Sequence, residues 1–84
     1  MPKNKVNLAD SSSQREFLRK LAQAKMPFGK YKDRLLIDLP EYYLIWYSQK
    51  GFPKGTLGIQ MQTVYELQLN GLIFLVRNIQ KMSE

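Results

Sequence analysis

Residues 25–39, KMPFGKYKDRLLIDL, combine turn residues with short apolar segments. Met26 to Phe28 form a short extended piece, Gly29 to Asp33 form a turn, and residues 34–37 form a returning apolar strand. Glycine and aspartate both tolerate left-handed backbone, which suits a turn. Pro27 has no amide hydrogen to donate, so the first strand should lie at an edge. The segment therefore predicts a two-stranded β-hairpin.

Helical patterns lie on both sides of this hairpin. Ser13 and Glu16 fit a capping box ahead of an amphipathic helix over about residues 14–24. Apolar periodicity predicts further helices over about 40–50, 57–69 and 72–80, and the last two could be one helix kinked at Asn70-Gly71. The predicted fold class is α+β, with an N-terminal helix, a two-stranded β-hairpin, and then two or three packed helices. We expect residues 1–10 to be a disordered tail and residues 11–84 to form a single small α+β domain.

The composition excludes several classes of site. The chain has 84 residues, with no Cys and no His. No disulfide or Cys-based metal site can form, and small proteins outside the cell usually rely on such staples, so we expect a cytoplasmic location. The longest aromatic and aliphatic run, Tyr42 to Tyr47, is much shorter than the about 20 residues that span a bilayer. We therefore expect no membrane partner.

The positive charge is concentrated in the first part of the chain. The formal net charge is +6; residues 1–34 carry nine basic and three acidic side chains, whereas residues 35–84 carry four of each. A basic half favours an anionic partner: DNA or RNA, a membrane surface or an acidic protein. The alternative is a solvated surface that only keeps the protein soluble.

The sequence offers little for catalysis. Without His or Cys, acid–base and nucleophilic chemistry would fall to Asp, Glu, Lys, Ser or Tyr. Asp38 and Glu41 stand three residues apart near a helix start and could face one pocket or a metal ion. The same spacing fits the two partners of a second capping box, which we favour. We predict that the protein is not an enzyme and needs no cofactor and no metal.

The turn after Pro27 is the strongest candidate for binding, because it threads cations between aromatic residues. Cations on a protruding turn can meet phosphates at low desolvation cost. Tyr31 could stack on an unpaired base or lie flat over the core, whereas Phe28 is expected to be buried. The predicted nucleic-acid-binding residues are Arg15, Arg19, Lys20, Lys25, Lys30, Tyr31, Lys32 and Arg34.

The run YYLIWY, residues 42–47, is too wide for one helical stripe. Six consecutive large residues cannot all face one small core, so some face the hairpin, another helix or a second subunit. We favour burial on two sides within the monomer. A protein partner or a homo-oligomer that uses this aromatic helix is the alternative.

Several motifs resemble a small bacterial family of unknown function, whose members carry the label of quorum-sensing-regulated virulence factors. In order they are MPFGKYK (26–32), LIDLPE (36–41), YLxW (43–46), GFPxGxLG (51–58) and ExxxNGL (66–72). The resemblance covers about residues 25–76 and implies no catalytic residues. Residues 26–46 also resemble a short module that follows the nuclease domain in exodeoxyribonuclease X-like proteins, which implies a nucleic-acid accessory role.

One position departs from the family pattern. The motif commonly continues as Gly-Lys-Tyr-Lys-Gly, and Asp33 stands where its second glycine is expected. Aspartate tolerates a left-handed turn, so the fold should survive, but a turn that binds a ligand could be altered. The leading functional prediction is a non-enzymatic nucleic-acid-binding accessory module. The alternative is a protein-interaction or homo-oligomeric regulatory module that uses the aromatic helix.

Overall fold

A computed structural model describes residues 11–83 of the chain. Within this range four α-helices follow one another: α1 (Ser11–Gln23), α2 (Glu41–Lys50), α3 (Thr56–Leu69) and α4 (Ile73–Ser83). A short 3-10 helix, Leu36–Asp38, lies between α1 and α2. The predicted tail, residues 1–10, lies outside the described part of the chain.

The core lies where the 3-10 helix meets the α-helices. α1 packs mainly against α4, α2 packs against α3, and the 3-10 helix contacts α1, α3 and α4. Burying apolar side chains from every element in one cluster supplies the main stabilising term of a small fold. The buried core residues are Leu21, Ala22, Met26, Leu36, Ile37, Leu39, Leu44, Met61, Val64 and Val76.

The predicted β-hairpin, and with it the α+β fold class, was wrong: residues 11–83 form an all-helical fold without a strand. Lys25 and Leu35 make one isolated antiparallel bridge, and the chain enters the 3-10 helix immediately afterwards. The physical reason is the burial pattern, because a strand points successive side chains to opposite faces. Leu36 and Ile37 are consecutive and both buried, which a tight helical turn allows and a strand on a single core does not.

Both predicted capping boxes were also wrong. α1 begins at Ser11, so Ser13 lies inside the helix and not at its N-cap. Pro40 holds the N-cap position of α2, without a side-chain capping hydrogen bond. Asp38 lies inside the 3-10 helix and forms an ion pair with Arg77 of α4. The carboxylate predicted to cap α2 therefore ties the 3-10 helix to α4.

The predicted stop at Asn70-Gly71 was confirmed, and it decides between one kinked helix and two helices. α3 ends at Leu69 and α4 begins at Ile73. Gly71 has a φ of 69°, and the amide of Leu72 donates to the carbonyl of Leu67 at 2.8 Å. A left-handed glycine followed by this bond is a Schellman motif, which ends a helix and turns the chain.

Candidate nucleic-acid interface

The loop between α1 and the 3-10 helix is closed by backbone hydrogen bonds. The Met26 amide donates to the Arg34 carbonyl at 2.8 Å, and the Asp33 amide donates to the Met26 carbonyl at 2.7 Å. Gly29 and Asp33 both have left-handed backbone, with φ of 80° and 71°. Aspartate is one of the few non-glycine residues that adopt this conformation readily, so the loop closes in spite of the missing glycine.

Tyr31, near the tip of this loop, is packed and only half-buried. Its ring meets the Tyr43 ring nearly at right angles, with 4.7 Å between the centroids. The hydroxyl groups of Tyr31 and Tyr42 form a hydrogen bond. These two contacts fix the loop against α2, so Tyr31 acts as an anchor between loop and helix.

Two of the predicted cations converge on the same ring. Lys30 Nζ and Arg34 Cζ each lie 5.4 Å from the centroid of Tyr31. Both side chains are exposed to solvent, and a cation over an exposed tyrosine is held by about 0.5–1 kcal/mol. Lys25 and Lys32 belong to the same loop and are also exposed. The loop therefore gathers five of the predicted residues, with Tyr31 as the anchor of the cations on either side of it.

Two tyrosines at this junction, Tyr42 and Tyr43, have a raised pKa, which favours their neutral form. Burial raises the pKa of Tyr43 to about 12, and the nearby Tyr47 hydroxyl adds to the rise. The hydrogen bond to Tyr31 raises the pKa of Tyr42, against the opposing charges of Lys30 and Arg34. The phenols therefore add no negative charge to this part of the surface at neutral pH.

The predicted cations of α1 have other neighbours. Arg19 forms an ion pair with Glu16 at 2.9 Å, one turn away on the same helix. Arg15 and Arg19 border a depression whose other wall is Ile79 and Met82 of α4. Lys20 borders a second depression together with Thr56 of α3. The structure thus places these three cations beside α3 and α4, whereas Lys30 and Arg34 of the loop lie over Tyr31 beside α2.

The sequence reasoning missed the residues that extend this surface along α2. Tyr42 and Trp46 are 62% and 51% exposed, so the favoured burial of the aromatic helix on two sides was wrong for these two rings. Lys50 Nζ lies 5.9 Å from the Trp46 ring centroid. The spacing of four residues between Tyr42, Trp46 and Lys50, out of phase with Leu44 and Tyr47, is the signal that would have placed them outward.

We call the combined patch on the loop and α2 the basic–aromatic surface. It consists of Lys30, Tyr31, Arg34, Tyr42, Trp46 and Lys50. Phe28 in the same loop is 46% exposed, so its predicted burial was wrong. The Phe28 ring is therefore available to solvent together with those of Tyr42 and Trp46.

A separate open cleft of about 460 Å³ lies between the 3-10 helix, α2 and α4. Asp38 and Glu41 both line it, as the pocket interpretation of their spacing required. Asp38 Oδ1 is 2.7 Å from Arg77 Nη2, and the same Arg77 nitrogen donates to the Ile37 carbonyl at 3.3 Å. Arg77 therefore holds one of the two carboxylates of the cleft in an ion pair.

No group of three or more His, Cys, Asp or Glu side chains among residues 11–83 is placed to hold a metal ion. None of the described helices combines the length and the apolar character needed to cross a membrane.

Comparison with known proteins identifies the family. Residues 14–79 match the family described as "Putative quorum-sensing-regulated virulence factor". The chain is 46% identical over 69 residues to the "Uncharacterized protein YpeB" of Escherichia coli strain K12, an alignment that covers 81% of this chain and 96% of that protein. The YpeB protein of Escherichia coli O157:H7 is similar to the same extent. No solved structure gave a significant match. With most of its length matched to the family and to these relatives, the chain belongs to the quorum-sensing-regulated virulence factor family that its motifs indicated.

Proposed function

We propose that this protein is a non-enzymatic nucleic-acid-binding accessory module. The observation that carries the proposal is the convergence of Lys30 and Arg34 on the Tyr31 ring, each at 5.4 Å, on a loop that is closed by its own hydrogen bonds. A fixed pair of exposed cations offers a phosphate two donors without first ordering a flexible segment.

The electrostatics of the loop support this proposal. Among residues 11–83, neither Lys30 nor Arg34 forms an ion pair with a carboxylate, in contrast to Arg19 and Arg77. Asp33 is the acidic residue of the loop, and it stands among four basic ones. Exposed cations that are not paired with a carboxylate are available to contact phosphates, and such contacts release counterions condensed on the nucleic acid.

The family description and the relatives' names assign no chemistry to this chain. Support from resemblance therefore comes from one segment alone. Residues 26–46, which resemble the module after the nuclease domain of exodeoxyribonuclease X-like proteins, contain the loop from Met26 onwards and the first part of α2. These are the segments that carry most of the basic–aromatic surface. The resemblance and the geometry thus point to the same part of the chain.

The alternative function, a protein-interaction or homo-oligomeric regulatory module, is favoured by the exposure of Tyr42 and Trp46. Exposed aromatic rings are common anchors of protein interfaces. A mass that rises with protein concentration in light scattering, and that Trp46→Leu returns to the monomer value, would support this alternative.

The proposed function is tested by the salt dependence of oligonucleotide binding. The double variant Lys30→Gln/Arg34→Gln removes both cations and keeps side chains of similar length. The slope of log K against log salt should become shallower by about 1.4 for single strands, because each phosphate contact contributes about 0.7. All base sequences should lose affinity alike, since phosphate contacts carry no base information.

A matched control uses a cation far along the chain from this surface. Lys81→Gln in the last turn of α4 removes one charge, and it should leave the slope unchanged. Unchanged far-UV circular dichroism in all variants confirms that folding is retained. A slope change in Lys81→Gln half as large as that in the double variant would show that only the net charge matters, because the control removes one charge and the double variant removes two, and it would refute the assignment to this loop.

A further inference from the structure

The outward side of α2 presents two aromatic rings that the core does not need. Leu44 is fully buried and Tyr43 and Tyr47 are half-buried, so the inner side of the helix is already occupied. Tyr42 and Trp46 stand one helical turn apart and are both more than half exposed. Residues four apart lie on the same side of a helix, so these rings form a ridge.

Contacts with neighbouring aromatic side chains hold the two rings of the ridge in place. The Tyr42 hydroxyl is hydrogen-bonded to Tyr31, which itself packs on Tyr43. The Trp46 ring lies 5.0 Å from Tyr47 at an angle of 86°, and Tyr47 stacks on Phe52 at 6.3 Å. Rings that are ordered before binding lose little conformational entropy when a ligand arrives.

Cations stand at both ends of this ridge. Lys30 and Arg34 surround Tyr31, the hydrogen-bond partner of Tyr42, and Lys50 lies over the Trp46 ring at 5.9 Å. Glu41, the acidic residue of α2, lines the separate cleft with Asp38 and Arg77. The ridge therefore combines apolar ring faces with positive charge, which complements bases joined by phosphates.

We propose that the basic–aromatic surface binds single-stranded nucleic acid, with two neighbouring bases stacked on Tyr42 and Trp46. This inference rests on the proposed function and specifies its ligand. Phosphates on either side of the stacked bases contact Lys30 and Arg34 at one end and Lys50 at the other. Lys50 leaves the Trp46 ring when a base takes its place, and its ammonium group then meets the adjoining phosphate.

The spacing of Tyr42 and Trp46 along α2 favours a single strand over a duplex. Four residues of α-helix advance about 6 Å, whereas successive base pairs in a duplex are about 3.4 Å apart and stacked on each other. A ring can reach a duplex base only by unstacking it, at a cost of a few kcal/mol. An extended single strand offers unstacked bases at no such cost, and each stacked base contributes about 1–3 kcal/mol whatever its identity.

Trp46 is the single tryptophan of the chain, so its fluorescence reports on this ridge directly. The experiment compares an oligothymidylate of about 12 nucleotides with a hairpin duplex of the same charge, at about 50 mM salt. We expect the single strand to quench Trp46 and to bind more tightly than the duplex. Anisotropy of labelled oligonucleotides then measures the affinities of variants that lack the tryptophan.

Variants of Trp46 separate base stacking from non-specific electrostatic attraction. Trp46→Leu should weaken single-strand binding by about 5- to 140-fold, which is about 1–3 kcal/mol at 1.4 kcal/mol per tenfold, and change duplex binding less than about twofold. Trp46→Phe keeps a ring and should retain most of the affinity. Phe74→Leu is the matched control, because Phe74 is an equally exposed ring, 54% exposed, on α4. It should bind as the wild type does.

The outcomes distinguish this inference from the proposed function. Equal, salt-dependent affinities for single strand and duplex, without quenching, would overturn the stacking inference and leave nucleic-acid binding in place. Losses of similar size for Trp46→Leu on both ligands, or for Phe74→Leu, would also overturn it. No binding to either ligand would refute both, and self-association that Trp46→Leu abolishes would then assign the ridge to a second copy of the chain.

Discussion

Gly58 in the first turn of α3 stands where a side chain has no room. An ideal Cβ at this position would lie 1.7 Å from the carbonyl oxygen of Pro53, half of the 3.4 Å at which ordinary contacts begin. It would also lie 2.9 Å from the carbonyl carbon of Pro53. Both atoms belong to the backbone, so no rotamer change can relieve the clash. Gly58→Ala must therefore displace either α3 or the loop before it.

The size of the effect follows from two opposing terms. Overpacking costs about 1–3 kcal/mol where side chains can yield, and a backbone clash belongs at the upper end of that range. Alanine is favoured over glycine in a helix by up to about 1 kcal/mol. We expect Gly58→Ala to lower the free energy of unfolding by at least about 2 kcal/mol, which lowers Tm by about 8–16 °C in a protein of this size.

The assay is urea unfolding followed by far-UV circular dichroism, with the slope m compared between variants. Gly58→Ser should be destabilised as well, because it introduces the same Cβ. Gln62→Ala, at an exposed position of the same helix, should stay within about 0.5 kcal/mol of the wild type. A Gly58→Ala variant as stable as the wild type, or more stable, would refute the close approach of α3 to Pro53.

Two further predictions concern the chain turn and the tyrosine cluster. Gly71→Ala should destabilise the protein by about 1 kcal/mol or more in the same urea assay, because φ is 69° there while the space around the position is open; a stabilised variant would contradict the Schellman turn. The free energy of unfolding should fall as pH rises from about 10 towards about 12, because the raised pKa of Tyr43 favours its neutral form in the folded state. The fall should be smaller in Tyr43→Phe, and equal falls in both proteins would show that Tyr43 is not the group responsible.

The helices and their ends could be predicted where the signal is local. Apolar periodicity located the four helices of residues 11–83. Asn70-Gly71 marked the break between α3 and α4, because glycine readily adopts the left-handed backbone that ends a helix. The prediction of a hairpin was wrong because an apolar run of three or four residues fits a strand and a tight helical turn equally well. Only the packing of Leu36 and Ile37 into one core decides between them, and that packing depends on distant helices.

The sequence predicted only part of the candidate site, because packing between distant elements decides the rest. The loop cations could be found from composition, and the structure brings Lys30 and Arg34 together around Tyr31. The contribution of α2 was underestimated, because the sequence indicated a wide aromatic helix without showing which rings the core would take. The cations of α1 could not be separated from the loop cations by sequence, since only the packing of the folded chain places them beside α3 and α4.

The proposed function requires the basic–aromatic surface to bind nucleic acid through its phosphates. The most direct test is the affinity of the wild-type protein for the single-stranded oligothymidylate, measured at salt concentrations from about 50 to about 200 mM. With Lys30, Arg34 and Lys50 each contacting one phosphate, log K should fall linearly with log salt at a slope of about −2. Absence of binding at about 50 mM, or an affinity that salt does not change, would contradict the account.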